Sequence, residues 1–375
     1  MYHSDNLAQI MKTAYLRLKD GTEFRAKAFG APIALEAGEV VFNTGIPGYQ
    51  EILTDPSYSG QIVVLTSPMI GNYGISDEDD QSSGVKATAL IIRKLYRGKT
   101  PEGRKSLDDY LKESGIPALE DLDTRALAIH LRDHGSQNGI IFEEKDRQKA
   151  IEKLDVFPEI TERDLIDGVS VKNRMHNPTL GKGFAEPPHN GIRKFAVVDY
   201  GIKRSIINEL YRRGAEVTLF PHTATADEIL ASKPDALFLS NGPGDPALLA
   251  DAVKLARSCI GRIPVQGICL GHQIITLALG GKTVKMKFGH HGSNHPVRDN
   301  LTGRTFVTAQ NHGFVADPAS LKDGAEIWMT NANDGSVEGI RNEKLNVRSV
   351  QFHPEAAPGP EDAQFIFDIF MEKAE

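Results

Sequence analysis

In AYLRLKDGTEFRAKAFG, apolar and polar residues alternate on both sides of Asp20-Gly21, the dipeptide that best suits a tight hairpin turn. A β-hairpin is predicted to open the chain. Short β-rich runs follow, GEVVFNT, QIVVLTSPMIG and ATALIIRKLY, separated by Gly- and Pro-containing turns. SLDDYLKESGIP and DTRALAIHLRDHG then carry apolar residues at helical spacing, the second with Asp123 or Thr124 as N-cap and Gly135 as stop. The acidic run Asp77 to Asp80 is expected to be a solvated loop. Residues 1–173 thus read as a first domain of mixed β and α structure.

The segment 174–191 is rich in Pro, Gly and Asn and has no sustained apolar period, which marks it as linker. From residue 192 to 375 a different pattern takes over. KFAVVDYG reads as a buried strand and KRSIINELYRRG as a helix, then EVTLF and ATADEILASK, DALFLSNGPGD and LLADAVKLARSC, PVQGICLGHQ and IITLALGG. Strands alternating with helices predict right-handed crossovers and an α/β, doubly wound, mostly parallel sheet. Ligands bind such sheets at the carboxyl ends of the strands, where SNGPGDP and GICLGHQ both fall.

Composition narrows the picture little. The 375 residues are 40% hydrophobic and 25% charged, ordinary for a folded soluble protein and unlike a disordered one. Forty-three basic against fifty acidic side chains leave a net charge of −7, which disfavours nucleic acid as a partner. No run approaches the ~20 apolar residues of a membrane span, and the first residues lack the apolar core of a signal peptide. Two cysteines, Cys259 and Cys269, are too few for a disulfide framework. A cytoplasmic location is expected.

The chemistry centres on Gly267-Ile268-Cys269-Leu270-Gly271, a G-x-C-x-G run between a strand and a helix, the thiol version of a nucleophile elbow. The glycines are expected to permit the sharp turn, and the helix N-terminus to favour the thiolate. A cysteine after an apolar strand is by itself only a small hydrophobe, the reading that suffices for Cys259. What lifts Cys269 above it is a partner base in VRSVQFHPEAAPGP. His353-Pro354-Glu355 is expected to continue the preceding strand, so that His353 and Glu355 share a face as base and orienting carboxylate. Leu270 N–H and a donor from the Ser240–Gly244 loop, Gly242 foremost, are candidates for holding an oxyanion. The run FGHHGSNHP holds His290, His291 and His295 but no Cys or carboxylate at ligand spacing, so a polar loop and no metal is expected. TAQNHGF reads as a second polar turn, with Asn311 available to a small polar ligand.

Taken together, GICLGHQ and the later HPE resemble the class I, triad-type glutamine amidotransferases. The chain as a whole resembles the family of small (glutaminase) subunits of glutamine-dependent carbamoyl-phosphate synthetase, through FLSNGPGDP, KTVKMKFGHHGSNHPV, TAQNHGF and, in the first domain, GYQEILTDPSYSGQIV and DTRALAIHLRDHGSQNG. The resemblance implies L-glutamine contacts from Ser57, Gly242, Gly244, Leu270, Gln273, Asn311, Gly313 and Phe314, with Cys269, His353 and Glu355 catalytic. It implies hydrolysis of L-glutamine to glutamate and ammonia through a thioester. The ammonia would pass to a large subunit that makes carbamoyl phosphate from bicarbonate with ATP and Mg²⁺, for pyrimidine and arginine biosynthesis. This chain would hold no cofactor itself: GxxxxGK[ST] is absent. TGIPGYQE and VSVKNRMHN depart from the commoner family runs, and residues 1–11 look like an unmatched extension. Two other readings stay open at this point, a stand-alone γ-glutamyl hydrolase and a catalytically silent scaffolding subunit, as does the oligomeric state of any complex.

Overall fold

The structure, a computed structural model, describes residues 12–322 and 324–372; the extension at residues 1–11 lies outside them. The predicted hairpin forms from β1 (Thr13–Leu18) and β2 (Glu23–Gly30). Its turn holds Gly21 at φ 92°, where a side chain would be strained. Five more strands, β3 (Ala37–Asn43), β4 (Gln61–Leu65), β5 (Ala89–Ile91), β6 (Pro117–Glu120) and β7 (Gln137–Glu143), close it into a barrel in the order β1-β2-β6-β5-β4-β3-β7. Helix α1 (Tyr49–Thr54) follows β3. In β4, Ile62 and Val64 join one core with Leu16, while Val63 and Leu65 join another with Ile52 and Leu53 of α1. Burial on both faces explains why QIVVL is apolar throughout. The predicted helices form as α2 (Leu107–Glu113) and α3 (Thr124–His134), the latter capped by Asp123, whose side chain accepts from Ala126 N at 3.0 Å, and followed by Gly135. A further helix, α4 (Arg147–Asp155), follows β7. Only the start of the acidic run is solvated: Asp79 pairs with Arg104, and Asp80 accepts from Gln50.

The second sheet begins with β8 (Met175–His176). The predicted alternation follows as β9 (Arg193–Asp199), α5 (Arg204–Arg212), β10 (Ala215–Pro221), α6 (Ala226–Ala231), β11 (Ala236–Leu239), α7 (Ala250–Cys259), β12 (Val265–Ile268) and α8 (Leu270–Ala278). Then come β13 (Thr283–Asp299), β14 (Thr305–Ala316), β15 (Glu326–Asn331), β16 (Val337–Asn342), β17 (Val347–Val350) and α9 (Phe365–Met371). The order is β14-β13-β15-β16-β17-β12-β11-β9-β10-β8, parallel from β17 through β10 and antiparallel elsewhere. Both faces are covered: Phe195 and Val197 of β9 pack with α5 and α9, while Ala196 and Val198 pack with α7 and α8. The fold class is therefore α/β with a doubly wound sheet behind a barrel.

Three local readings differ from this outcome. The stretch 174–191 joins the two sheets and also builds the second: β8 pairs with β10, Leu180 is buried, and Tyr211 Oη donates to Pro178 O at 3.0 Å. The runs FGHHGSNHP and TAQNHGF are paired strands, β13 and β14, with register shifts between Lys285 and His290 and between Gly292 and His295. Bulges re-aim side chains, and here they break the apolar alternation by which a strand is read. HPE does not continue β17, which ends at Val350. His353 makes one antiparallel bridge to Ala309, and Pro354, with no N–H to donate, starts a turn.

Candidate active site

Four neighbouring parallel strands, β17, β12, β11 and β9, deliver the site from their carboxyl ends. Beyond them stand His353 and Glu355, Cys269, Asn241 and Lys203 respectively. Cys269 itself takes the sharp turn, with φ 53° and ψ −106°, a conformation that costs a non-glycine residue on the order of 1–3 kcal/mol. The flanking glycines serve a different purpose from the one expected. A Cβ on Gly271 would lie 2.0 Å from Leu239 O, and one on Gly267 would lie 2.7 Å from Gly271 C. They let α8 press against β11 and β12, and that packing holds the strained Cys269. Its thiol is buried rather than projecting, and donates to Asn311 O at 3.5 Å.

His353 Nδ1 lies 2.7 Å from Glu355 Oε1, both residues being buried. That contact fixes the tautomer and leaves Nε2, which has no hydrogen-bond partner among the described residues, for the thiol. Burial favours the neutral imidazole, but the Glu355 carboxylate and the Cys269 sulfur outweigh it and hold His353 above its ordinary range. Burial would likewise raise Glu355. Lys203 and His353 hold its carboxyl down, at about 2. Lys203, absent from the sequence-based set, is fully enclosed and donates to Glu355 Oε1 at 2.8 Å and Ala356 O at 2.7 Å. A lysine in KRSII carries no signal that distinguishes it from a surface cation.

Beside Cys269 lies a small cavity lined largely by polar groups. Ser57, Gly242, Gly244, Gln273, Asn311, Gly313 and Phe314 line it. Leu270 does not: its side chain is in the core, and only its N–H, the first of α8 and without an intrahelical acceptor, remains available. Gly242 must be glycine, since a Cβ there would meet Tyr200 O at 2.1 Å. Gln273 Nε2 donates to Phe314 O at 2.8 Å, locking α8 to β14. Ser57 comes from the barrel. Asn241 Nδ2 donates to its Oγ at 2.9 Å, while Asp55 accepts from Asn311 Nδ2 at 3.2 Å and Asn241 Nδ2 at 3.4 Å. The lining also includes an ion pair that the sequence did not suggest, Lys285 to Glu39 at 3.0 Å, with Gln61 on the same carboxylate. Cys259, expected to have no function, is core: burial pushes its thiol up to about 11.

A nucleophile, a base with an oriented tautomer, backbone donors and an enclosed polar cavity can together perform acyl transfer from a small amide. Comparison with known proteins gives two family matches, "Glutamine amidotransferase class-I" over residues 196–373 and "Carbamoyl-phosphate synthase small chain, CPSase domain" over residues 16–141. Among similar curated proteins is one from Aquifex aeolicus (strain VF5), 44% identical over 97% of this chain and 99% of its own length. One from Vibrio cholerae serotype O1 is 46% identical over 96% and 98%, and one from Methanopyrus kandleri 43% identical over 96% and 98%. All three are described as "Carbamoyl phosphate synthase small chain".

Proposed function

This chain belongs to the carbamoyl phosphate synthase small-chain family, and on that footing we propose that it is the glutaminase subunit of a glutamine-hydrolysing carbamoyl-phosphate synthase. The Cys269 thiolate attacks the side-chain amide carbon of L-glutamine, and Leu270 N–H and Gly242 N–H steady the oxyanion. His353 gives its proton to the departing nitrogen, so the C–N bond breaks and NH3 leaves a γ-glutamyl thioester. Water then attacks as His353 takes its proton. Glutamate departs, and the proton returns to sulfur. Glu355 keeps the imidazole oriented throughout.

The seven lining residues Ser57, Gly242, Gly244, Gln273, Asn311, Gly313 and Phe314 form the glutamine site in this reading. The large subunit uses ATP, Mg²⁺ and bicarbonate, and receives the ammonia. The observation that carries the proposal is the convergence of Cys269, the His353–Glu355 pair and a polar cavity on adjacent strand ends. In a complex reconstituted with the large subunit, Cys269→Ser is expected to abolish glutamine-dependent carbamoyl phosphate synthesis while ammonia-dependent synthesis persists. Loss of both activities would assign Cys269 a structural role and defeat the reading.

A further inference from the structure

Strands β13, β14 and β16 bring His290, His312 and Glu338 together, all buried, with one ligand atom from each within 4.8 Å of the others. Each side chain has a contact on an atom that would not bind, as metal ligands do, and His312 has a second contact on its other nitrogen. His290 Nε2 lies 2.9 Å from Asp334 Oδ2; its Nδ1 has no hydrogen-bond partner among the described residues and faces Glu338 Oε1 at 3.7 Å. His312 Nδ1 lies 2.9 Å from Phe314 O and Nε2 2.8 Å from Gln310 Oε1; with Nδ1–H donating to the backbone carbonyl, Nε2 carries the lone pair once Gln310 turns away. Glu338 is fully enclosed: Oε1 accepts from Asn331 Nδ2 at 2.9 Å, and Oε2 has no hydrogen-bond partner among the described residues. Beside them the His295 ring centroid lies 4.8 Å from that of His290, and His295 Nδ1 too has no hydrogen-bond partner among the described residues. Buried polar atoms left this way are costly, on the order of 1–3 kcal/mol each.

We propose that His290, His312 and Glu338 form a binding site for one divalent ion of the zinc class. Two imidazoles and a carboxylate suit Zn²⁺, with bonds of about 2.0–2.2 Å. Tetrahedral ligands then stand roughly 3.4 Å apart, so the three side chains close slightly on the ion, and the Gln310 side chain, now 2.8 Å from His312 Nε2, turns aside. No local spacing announces this site, because the carboxylates lie about forty residues beyond the histidine run and only the β13–β15–β16 pairing returns them. The ion would cross-link three strands. His312 stands between Asn311 and Gly313 in the wall of the Cys269 cavity, so occupancy would fix the geometry of that wall.

The test uses the full chain carrying Cys269→Ser, which removes the thiol as a competing ligand. After treatment with a chelator, it is titrated with Co²⁺ and Zn²⁺, following visible absorption and metal content. One equivalent is expected, with the strong absorption of four-coordinate Co²⁺. Glu338→Gln and His290→Asn are expected to abolish stoichiometric binding, and Asp334→Asn to weaken it about tenfold to a hundredfold. Circular dichroism checks that each variant is folded; should one not fold, the Asp334→Asn shift decides. No stoichiometric binding by the Cys269→Ser chain, or binding indifferent to all three substitutions, would overturn the proposal and leave a protonated His290 bridging Asp334 and Glu338.

Discussion

Lys203 neutralises Glu355 at Oε1, the same oxygen that His353 contacts, and neither lysine nor glutamate has appreciable contact with solvent. Replacing it with Met removes one partner of a buried pair, a change that costs about 3–5 kcal/mol. The catalytic consequence can be read separately. The Glu355 carboxyl is held low against burial by Lys203 first and His353 second. Without Lys203 burial regains weight, the carboxyl rises, and it becomes protonated at a higher pH. Lys203→Met is therefore expected to lower glutaminase kcat/KM and to move the acid limb of its pH profile upward. Measuring glutamate release across pH checks this; a uniform loss with an unmoved limb would mean that Lys203 only supports the fold.

At the level of elements, the glycines around the site make unequal demands. A methyl group on Gly271 runs into Leu239 O, whereas one at Gly313 meets nothing within 4 Å. Gly271→Ala is expected to destabilise by at least the ~1–3 kcal/mol of an overpacked core, and Gly313→Ala to leave the urea midpoint nearly unchanged. Equal midpoints would contradict the packing of α8 on β11. The elements themselves were unequally legible. KFAVVD, DALFL and PVQGI announce buried strands because both their faces meet apolar layers, so β9, β11 and β12 could be read directly. In β13 and β14 the buried positions include His290, His291, Gln310, Asn311 and His312 beside apolar ones; these five are chosen for chemistry rather than burial, and apolar periodicity is blind to them. The HPE segment was misread for a related reason. The pairing of His353 with Glu355 was legible, but the turn that creates it depends on a bridge to Ala309, forty-four residues earlier in the chain.

For the molecule as a whole, acid is the expected weakness. His272 is fully enclosed on α8, its Nδ1 on Ser349 Oγ at 2.9 Å, and burial lowers its pKa to about 3. Because the folded value lies below that of the unfolded chain, the unfolded state binds the extra proton. The stability that His272 contributes is retained above the ordinary histidine pKa of 6.5 and falls as pH drops from there toward 3, by about 1.4 kcal/mol per pH unit; His291 and His295, also lowered by burial, act with the same sign, and Glu51, raised by burial to about 7, opposes them. His353 and His290 do not offset this loss. Their folded values are raised, so below 6.5 both are protonated in either state. Urea unfolding at about pH 6 and pH 5, both below the ordinary histidine pKa, should show the fall, and His272→Asn should make it shallower. An unchanged slope would show that protons enter elsewhere.

Asp55 has a further consequence. This one barrel carboxylate reaches Asn241 after β11 and Asn311 on β14, while Asn241 also holds Ser57. The barrel is thus connected to the reacting centre by a linkage only two hydrogen bonds long. A protein that grips the barrel alone, without touching the second sheet, can tilt this linkage and retune the nucleophile's surroundings, as a rod moves a valve. Asp55→Asn keeps the shape of the linkage but removes its charge, and is expected to lower glutamate release measured with the large subunit added more than release by the chain alone. Equal loss of both would show that Asp55 merely shapes the pocket.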